Sequence, residues 1–366
     1  MKRHLKALAF ALALSFLPSF GAALHAEEAS ASEAKTRQVV DDAGREVEIP
    51  LEIQSVAPSG GVATLVLFTA APEKLAAVSR SFSKPQLKYL DKKYADLPEI
   101  GQFYGKKANL NLEELLRIKP DLIIDIGEKK KTVKEDMDGI QEQTGIPTLF
   151  IEALTPEMGD AYRKLGKILG NEERCENLAK YCEASLARSA KVLESLTDAD
   201  KKTVYWAMGD AGLNTNALGS FQSEILDLVG ADNVCKAEPV SRGGGTEVSM
   251  EDVLQWKPEY VLVDSPSLAE TMAADPAWQD FFSQNPESKQ VLVPYGPYGF
   301  LAGPPSVNRF IGLAWLGQLL YPEKYELDVR QEVKEFYELF YQVELTDEAL
   351  DELLAEGSEA PAAKAA

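Results

Sequence analysis

Histidine is almost absent from this chain. The 366 residues include two, His4 and His25, and both lie within the first 26 positions. Histidine is the commonest general base near neutral pH and a frequent ligand of protein-bound metals. A domain built from the later residues therefore has no Ser-His or Cys-His pair, and we do not expect it to bind Zn²⁺ or Mn²⁺ directly.

Cysteine is scarce as well. Cys175 and Cys182 are seven residues apart in a helical pattern, about 10 Å of rise, which is too far for a disulfide between them. We expect both to be small core residues. Cys235 can pair with either of them in an oxidising compartment, and the odd count leaves at least one free thiol. The sequence contains no CxxC or Gly-x-Ser-x-Gly element, which disfavours a hydrolase.

Basic residues and long apolar runs are also missing. Lys and Arg number 38 against 58 Asp and Glu, so the formal charge is −20. Such an acidic chain does not suit nucleic acids or anionic lipid surfaces, because phosphate binding relies on clustered Lys and Arg. The apolar run over residues 7–17 is too short to cross a bilayer, and no later run is longer.

The first 26 residues follow the order of a secretory signal peptide. Three basic residues precede the apolar run 7–17, and small residues lead to Ala23 or Ala26. Removing residues 1–26 changes the formal charge to about −23. No cysteine stands at the cleavage point, so we predict a soluble periplasmic protein without a lipid anchor. A disordered lead-in is predicted over residues 27–36, and a disordered tail over 356–366.

Two segments of the chain repeat each other. Residues 111–124 (Asn-Leu-Glu-Glu-Leu-Leu-Arg-Ile-Lys-Pro-Asp-Leu-Ile-Ile) align with residues 249–262 (Ser-Met-Glu-Asp-Val-Leu-Gln-Trp-Lys-Pro-Glu-Tyr-Val-Leu) at one offset of 138. In each copy Asn or Ser can cap a short helix, Lys-Pro ends it, and the apolar run suits a buried parallel strand. The repeat predicts two similar α/β lobes.

A long helical pattern lies between the two copies. Over residues 156–196 an apolar stripe recurs every three or four positions, and charged residues occupy the other faces. The stripe consists of Cys175, Leu178, Cys182, Leu186, Ala190 and Leu193. We therefore predict an α/β fold of two similar lobes with mainly parallel sheets, joined by a long rigid spine helix. The N-terminal lobe covers residues 37–154, the connector with the spine helix 155–198, and the C-terminal lobe 199–355.

Over residues 37–345 the chain resembles the periplasmic binding proteins of metal-chelate ABC importers, which serve ferric siderophores, haem and cobalamin. Besides the first repeat copy, the resemblance rests on residues 39–47 (Val-Val-Asp-Asp-Ala-Gly-Arg-Glu-Val), 224–234 (Glu-Ile-Leu-Asp-Leu-Val-Gly-Ala-Asp-Asn-Val) and 304–309 (Pro-Pro-Ser-Val-Asn-Arg). It implies two lobes on a helical spine and a ligand groove between them, at the carboxyl ends of the strands.

The groove maps onto twelve residues of this sequence. They are Ser59, Gly60, Gly61, Arg80, Phe82, Tyr104, Asn214, Asn216, Arg242, Tyr295, Tyr298 and Phe300. Relatives commonly have an arginine just before the Pro-Pro-Ser-Val-Asn-Arg stretch, where this chain has Gly303. Arg80, Arg242 and Arg309 are the candidates to replace its charge.

The resemblance also implies the partners. The matched acids Glu113 and Glu251 correspond to the glutamates with which each lobe contacts arginines of a dimeric permease that carries ATPase subunits. We expect a monomer that needs no cofactor, binds no nucleic acid and does not insert into a membrane. The leading hypothesis is a non-enzymatic protein that binds an iron-siderophore or related metal chelate.

Other functions remain open. One is binding of a molybdate-like or tungstate-like oxyanion by helix amino termini with Arg or Tyr donors. Another is binding of haem, with tyrosine as a ligand of the iron, or of a corrinoid. A hydrolase that uses paired carboxylates in the cleft is the remote alternative.

Overall fold

The computed structural model describes residues 35–104, 108–239, 245–302 and 306–355. The predicted signal peptide, the C-terminal tail and nearly all of the lead-in lie outside these ranges, and β1 begins at Thr36, the last residue of the predicted lead-in. The strands are β1 Thr36–Val40, β2 Glu46–Pro50, β3 Val56–Pro58, β4 Leu122–Gly127, β5 Thr148–Glu152, β6 Thr203–Ala207, β7 Asn214–Thr215, β8 Asp232–Asn233, β9 Thr246–Glu247, β10 Tyr260–Val263 and β11 Lys289–Leu292. The α-helices are α1 Gly61–Ala70, α2 Leu112–Ile118, α3 Val133–Thr144, α4 Met158–Leu169, α5 Glu172–Glu194, α6 Glu224–Val229, α7 Met250–Trp256, α8 Pro266–Ala274, α9 Pro276–Gln284, α10 Asn308–Leu320, α11 Pro322–Tyr325, α12 Val329–Phe336 and α13 Asp347–Ala355.

Two parallel sheets form the framework and confirm the predicted α/β class. The first sheet has the order β3-β4-β5, and the second has the order β11-β10-β6-β8. Within each sheet all neighbouring strands run parallel. Their apolar strands are buried on both faces, as expected where helices cover a parallel sheet. The described residues from 35 onward form one compact unit, so the boundaries of the two lobes stay a prediction.

The antiparallel hairpin of β1 and β2 is fastened to the edge of the first sheet. The buried guanidinium of Arg45 donates to the carboxylate of Asp41 at 3.1 Å and to the carbonyl of Thr148 at 2.7 Å. The backbone N–H of Asp42 donates to the carbonyl of Phe150 at 3.0 Å. The Asp-Asp-Ala-Gly-Arg turn therefore joins the hairpin to β5.

The two repeat copies fold alike. Asn111 caps α2 and Ser249 caps α7, each by accepting a backbone N–H with its side-chain oxygen. The helices end at Lys119 and Lys257, which have left-handed φ values of 50° and 48° and each precede a proline. Each copy then continues into an inner strand of its sheet, β4 or β10. The predicted helix, stop and strand are confirmed in both copies.

The predicted spine segment contains two helices rather than one. α4 ends at Leu169 and α5 begins at Glu172, and Gly170 between them has a left-handed φ of 74°. A single glycine at a helix carboxyl end allows this conformation, which stops the helix. The spine is therefore α5, with 23 residues. It packs against α1 and α4 and also against α6, α10 and α11.

The buried face of α5 follows the predicted stripe only in its first half. Cys175, Leu178 and Cys182 are fully buried, whereas Ala190 is exposed. Farther along, Ser189 is buried instead, and its hydroxyl hydrogen-bonds to the hydroxyl of Tyr325 at 2.9 Å. The stripe was wrong at its carboxyl end because a serine with a polar partner occupies the core there.

All three cysteines are buried and unpaired. Cys235 therefore forms a disulfide with neither of the other two. Burial raises the pKa of the thiols of Cys175, to about 12, and of Cys182 and Cys235. The three side chains are core residues, as predicted for two of them.

The C-terminal segment returns to the first half of the chain. After α12, residues 337–341 form a single π-helical turn. The ring of Tyr341 lies 6.2 Å from that of Phe68 in α1. The guanidinium of Arg174 donates to the carbonyls of Thr69 and Phe340, at 2.8 and 3.2 Å. The two halves of the chain are thus joined at α5 and again at the π turn.

Some local structure was not predicted from the sequence. Gln86–Tyr89 and Lys92–Tyr94 form two short 3₁₀ turns, and residues 75–79 contribute only isolated bridges. The helices α3, α8 and α9 were not predicted either. In the described ranges, no helix combines the length and the apolar character that crossing a bilayer requires.

Candidate functional site

Two adjoining cavities lie at the carboxyl end of the first sheet. The Tyr104 cavity has a volume of about 370 Å³, and the Arg80 cavity has a volume of about 590 Å³. They share Gly61 and Gln102 in their walls. The Tyr104 cavity is lined by Ser59, Gly60, Gly61, Val62, Ala63, Gln102, Tyr104, Asp125, Ile126, Gly127, Glu128, Lys130, Ala153 and Phe221. The Arg80 cavity is lined by Gly61, Thr64, Ser79, Arg80, Ser81, Phe82, Ser83, Gln86, Glu99, Gln102, Asn109, Tyr295 and Tyr298.

The structure brings eight of the twelve predicted groove residues to these cavities. The eight are Ser59, Gly60, Gly61, Arg80, Phe82, Tyr104, Tyr295 and Tyr298. They come from four separate parts of the sequence, namely the β3–α1 junction, the segment around residue 80, the segment around residue 104 and the loop after β11. This agrees with a site at strand ends, where loops from several strands converge.

The other four predicted residues have different surroundings. Asn214 and Asn216 line neither cavity, and the side-chain N–H of buried Asn216 donates to the sulfur of Met208 at 3.1 Å. Phe300 is fully buried, with its ring 6.4 Å from that of Trp315. Arg242 lies outside the described residues.

A buried carboxylate forms the inner end of the Tyr104 cavity. Asp125, the third-last residue of β4, is 5 % exposed. It accepts a hydrogen bond from the hydroxyl of Ser59, and the hydroxyl of Tyr104 adjoins the same two groups. Burial raises the pKa of Asp125, and burial followed by the adjacent Asp125 charge raises the pKa of Tyr104. The Lys130 ammonium lies 4.4 Å from the centre of the Tyr104 ring.

The amino terminus of α1 forms another wall of the same cavity. Gly60 is the N-cap, and no side chain caps the helix. The next three residues line the cavity, and their backbone N–H groups belong to the first turn, where intrahelical acceptors are lacking. A Cβ atom on Gly60 would come within 3.3 Å of the side chain of Gln102. Glycine therefore allows a close approach between this turn and the Gln102 wall.

The Arg80 cavity contains one cation and one anion among its described lining residues. The carboxylate of Glu99 accepts the backbone N–H of Ser81 at 2.9 Å. This hydrogen bond, with a smaller contribution from the charge of Arg80, lowers the pKa of Glu99. Glu99 is therefore ionised near neutral pH, and its charge partly offsets that of the exposed Arg80.

Two tyrosines from the second half of the chain complete the Arg80 cavity. Burial raises the pKa of both Tyr295 and Tyr298, so each presents a neutral phenol. The side-chain N–H of Asn308 donates to the carbonyl of Tyr298 at 3.0 Å. The peptide bond between Gly296 and Pro297 is cis. A Cβ atom on Gly296 would lie 2.6 Å from the ring of Tyr89, so this loop packs closely on the first half.

Arg309 does not contribute charge to either cavity. It is 1 % exposed, and its guanidinium donates to Glu224 at 2.7 Å, to Thr155 at 3.0 Å and to the carbonyl of Leu301 at 3.3 Å. The same group stacks on the ring of Phe221, 4.7 Å from its centre. The hypothesis that Arg309 replaces the missing arginine as a clamp is therefore wrong. Arg309 instead holds Phe221, which lines the Tyr104 cavity.

Sequence reasoning missed several lining residues. Gln102, Asp125, Lys130, Phe221 and Glu99 were not predicted for the site. Asp125 had a detectable signal, because it is the single charged residue in the apolar run of β4 and stands near the carboxyl end of that strand. Glu99, Gln102 and Lys130 lie in loops whose side-chain direction the sequence pattern does not encode.

The described residues contain no group of three or more His, Cys, Asp or Glu side chains arranged to hold a metal ion. The lining residues instead offer rings, hydroxyls and backbone N–H groups. Such groups bind a solute by hydrogen bonds and apolar contact.

Known proteins similar to this chain are binding proteins. A sequence profile of the family described as periplasmic binding protein matches residues 58–290. The molybdate-binding protein MolA of Haemophilus influenzae is 26 % identical over 334 residues, which cover 83 % of this chain and 91 % of MolA. A vitamin B12-binding protein of Pectobacterium carotovorum is 26 % identical over 59 % of this chain and 71 % of that protein.

Solved structures have the same architecture. An ABC transporter solute binding protein from Sulfurospirillum deleyianum superposes with a TM-score of 0.79 at 28 % identity, over 87 % of this chain and 99 % of that one. The molybdate-bound MolA of Haemophilus influenzae gives a TM-score of 0.64 at 20 % identity, over 85 % and 99 % of the two chains. The latter similarity supports the fold alone.

Proposed function

The chain belongs to the periplasmic binding protein family, and from this premise we propose that it binds a metal chelate in the two adjoining cavities and delivers it to an ABC permease. The observation that carries the proposal is the pair of cavities itself. Together they offer the rings of Phe82, Tyr104, Phe221, Tyr295 and Tyr298 beside a few polar groups. Aromatic faces with sparse polar contacts suit the organic shell of a chelate.

The charge of the described lining residues favours a chelate over a bare oxyanion. Asp125 and Lys130 lie in one cavity, and Glu99 and Arg80 lie in the other. The chain as a whole is strongly acidic. Among the described lining residues, a doubly charged anion would find no surplus of cations to replace its hydration shell.

A second candidate is an oxyanion such as molybdate. One observation favours it, namely the uncapped amino terminus of α1 at the Tyr104 cavity, because helix amino termini bind anions. The relative MolA from Haemophilus influenzae is a molybdate-binding protein that covers most of this chain. The nearby carboxylate of Asp125 opposes this candidate.

Haem bound through a tyrosine is less favoured at Tyr104. A phenolate ligand requires the hydroxyl to lose its proton. Burial and the charge of Asp125 raise the pKa of Tyr104, which opposes that loss. Corrinoid binding requires no such ligand and stays within the proposal.

The test is a binding panel on protein purified from the periplasm. Native mass spectrometry with an absorption spectrum identifies any ligand that co-purifies. Fluorescence titration then compares a ferric trihydroxamate, cyanocobalamin, haemin and molybdate. We expect a chelate to bind and to be returned unchanged, as for a binding protein without catalytic activity.

Variants of the aromatic lining test whether the ligand binds in these cavities. Replacing Tyr295 and Tyr298 by Ala should weaken binding of the identified ligand at least tenfold, about 1.4 kcal/mol. Tyr260→Ala is the matched control, because Tyr260 begins β10 and lines neither cavity. Equal affinity in the double variant and the control would place the ligand elsewhere.

We further propose that Glu113 and Glu251 contact the permease. Both are exposed in the first turns of α2 and α7. The caps of these helices come from Asn111 and from Ser249 with its capping box, so neither glutamate is needed as a cap. Equivalent positions in the two repeat copies suit a partner with two-fold symmetry.

Replacing both glutamates by Gln should leave ligand affinity and stability unchanged while uptake and permease-stimulated ATP hydrolysis fall sharply. Glu142 and Glu194 are exposed acids on α3 and α5 and supply the matched control when both are replaced by Gln. Wild-type uptake in the Glu113 and Glu251 double variant would refute the docking role. We also propose export to the periplasm by a signal peptide over residues 1–26, which mass spectrometry of the mature chain would test.

A further inference from the structure

The hydrogen of one cavity hydroxyl is already committed. Ser59 has one hydroxyl hydrogen and donates it to the carboxylate of Asp125. An ionised carboxylate only accepts hydrogen bonds, so the remaining capacity of Ser59 toward the cavity is the lone pairs of its oxygen. The hydroxyl of Tyr104 adjoins the same pair. Ser59 and Asp125 are nearly fully buried, so water cannot readily rearrange this cluster.

The same cluster carries negative charge. Asp125 accepts the hydrogen bond of Ser59 and has no ion-pair partner within 4 Å among the residues that the structure describes. The charge of Lys130 acts on Asp125, and the Lys130 ammonium lies over the ring of Tyr104, 4.4 Å from its centre. The inner end of the cavity is therefore negative and accepts hydrogen bonds.

The Arg80 cavity has the opposite preference. Arg80 is exposed there, and the neutral phenols of Tyr295 and Tyr298 lie in its wall. An acidic group of a solute would find hydrogen-bond donors in the Arg80 cavity. The two cavities meet at Gly61 and Gln102, so one solute can extend through both.

We propose that the Tyr104 cavity is a subsite for an uncharged or cationic, hydrogen-bond-donating part of the ligand, and that Asp125 sets this preference. The inference rests on the proposed function and narrows it. It selects chelates whose shell carries amide N–H groups, hydroxyls or metal-bound water, with little net negative charge. Bare oxyanions and highly anionic complexes are disfavoured, because their lone pairs would face those of the cluster.

Asp125→Asn is the central variant. The amide keeps the shape of the side chain but has one acceptor oxygen and one N–H₂ donor. When the N–H₂ group faces Ser59, that hydroxyl must turn its hydrogen elsewhere, and in either orientation the negative charge is lost. Asp121→Asn is the matched control, because Asp121 precedes the opposite end of β4, accepts the hydroxyl of Ser55 at 3.1 Å and lines neither cavity.

The experiment measures dissociation constants at pH 8, where a carboxyl with a raised pKa is more fully ionised. The probes are cyanocobalamin, a neutral ferric trihydroxamate with peptide N–H groups, an anionic ferric tricatecholate, and molybdate. We expect the wild type to bind a neutral probe at least tenfold more tightly than either anion. Asp125→Asn should reduce this ratio at least tenfold, and Asp121→Asn should leave it within twofold.

Three results would overturn the inference. The first is a wild-type preference for molybdate or the tricatecholate, and the second is an unchanged ratio in Asp125→Asn. If that variant does not fold, Ser59→Ala removes one committed hydroxyl and should reduce the ratio by a smaller factor, so the third is an unchanged ratio in Ser59→Ala. A wild type that binds none of the probes would instead refute the proposed function, and the inference with it.

Discussion

Replacing Arg309 by Met should destabilise the protein strongly. The side chain is 1 % exposed, and its five N–H hydrogens have acceptors in Leu301, Thr155, Glu224 and the carbonyls of Phe221 and Gln222. Met is of similar length but donates no hydrogen bond. Breaking a buried ion pair by removing one partner costs about 3–5 kcal/mol. The carboxylate of Glu224 is 29 % exposed, so water relieves part of that cost, and we expect a loss of about 3 kcal/mol in the free energy of unfolding.

Urea unfolding followed by tryptophan fluorescence measures this loss. Arg330→Met is the matched control, because Arg330 forms its ion pair with Asp351 at the surface and is 48 % exposed. Exposed pairs contribute about 0–1 kcal/mol. The reasoning would be refuted if Arg309→Met and the control lost similar stability, since Arg309 would then not be the centre of a buried network.

Further predictions concern packing, pH and motion. Gly312→Ala should lower the free energy of unfolding in urea by about 1–3 kcal/mol or more, because the new Cβ would lie 2.1 Å from the carbonyl oxygen of Phe300. The control is Gly139→Ala in α3, whose Cβ would meet no atom within 4 Å and which should be neutral or stabilising. Equal effects of the two substitutions would contradict this account. Burial raises the pKa of Asp264 above its ordinary 3.8. The free energy of unfolding of the wild type should therefore equal that of Asp264→Asn below about pH 4 and fall below it as pH rises through the folded pKa. A difference between the two proteins that does not change between pH 4 and 8 would contradict the shift. Small-angle scattering should show little compaction on ligand binding, because α5 has no internal glycine and the π turn joins the two halves a second time. A large decrease in the radius of gyration on ligand binding would contradict a rigid spine.

The internal repeat was the most informative feature of the sequence. Its helix, Lys-Pro stop and buried strand are all local signals, so each copy could be predicted without knowledge of the rest of the fold. Lys119 and Lys257 even share a left-handed backbone conformation, which is common for the residue that follows the last turn of a helix. The parallel sheets followed from the same pattern.

Less local features could not be predicted. The pattern of α5 did not show that Ser189 would be buried, because the partner that satisfies its hydroxyl, Tyr325, lies 136 positions farther along. Phe300 was assigned to the groove from the family resemblance, yet its side chain is fully buried in the core. The cluster of Ser59, Tyr104 and Asp125 was also missed, because its three members are distant in sequence and meet only in the folded protein.

The return of the C-terminal segment has a consequence for synthesis. Phe68, made early, packs on Phe82 and Tyr94, which follow soon after it, but also on Tyr341, which the ribosome adds more than 270 residues later. The core of the first half therefore lacks one of its aromatic partners until translation is nearly complete. We expect the nascent first half to be less stable than the same residues in the finished protein.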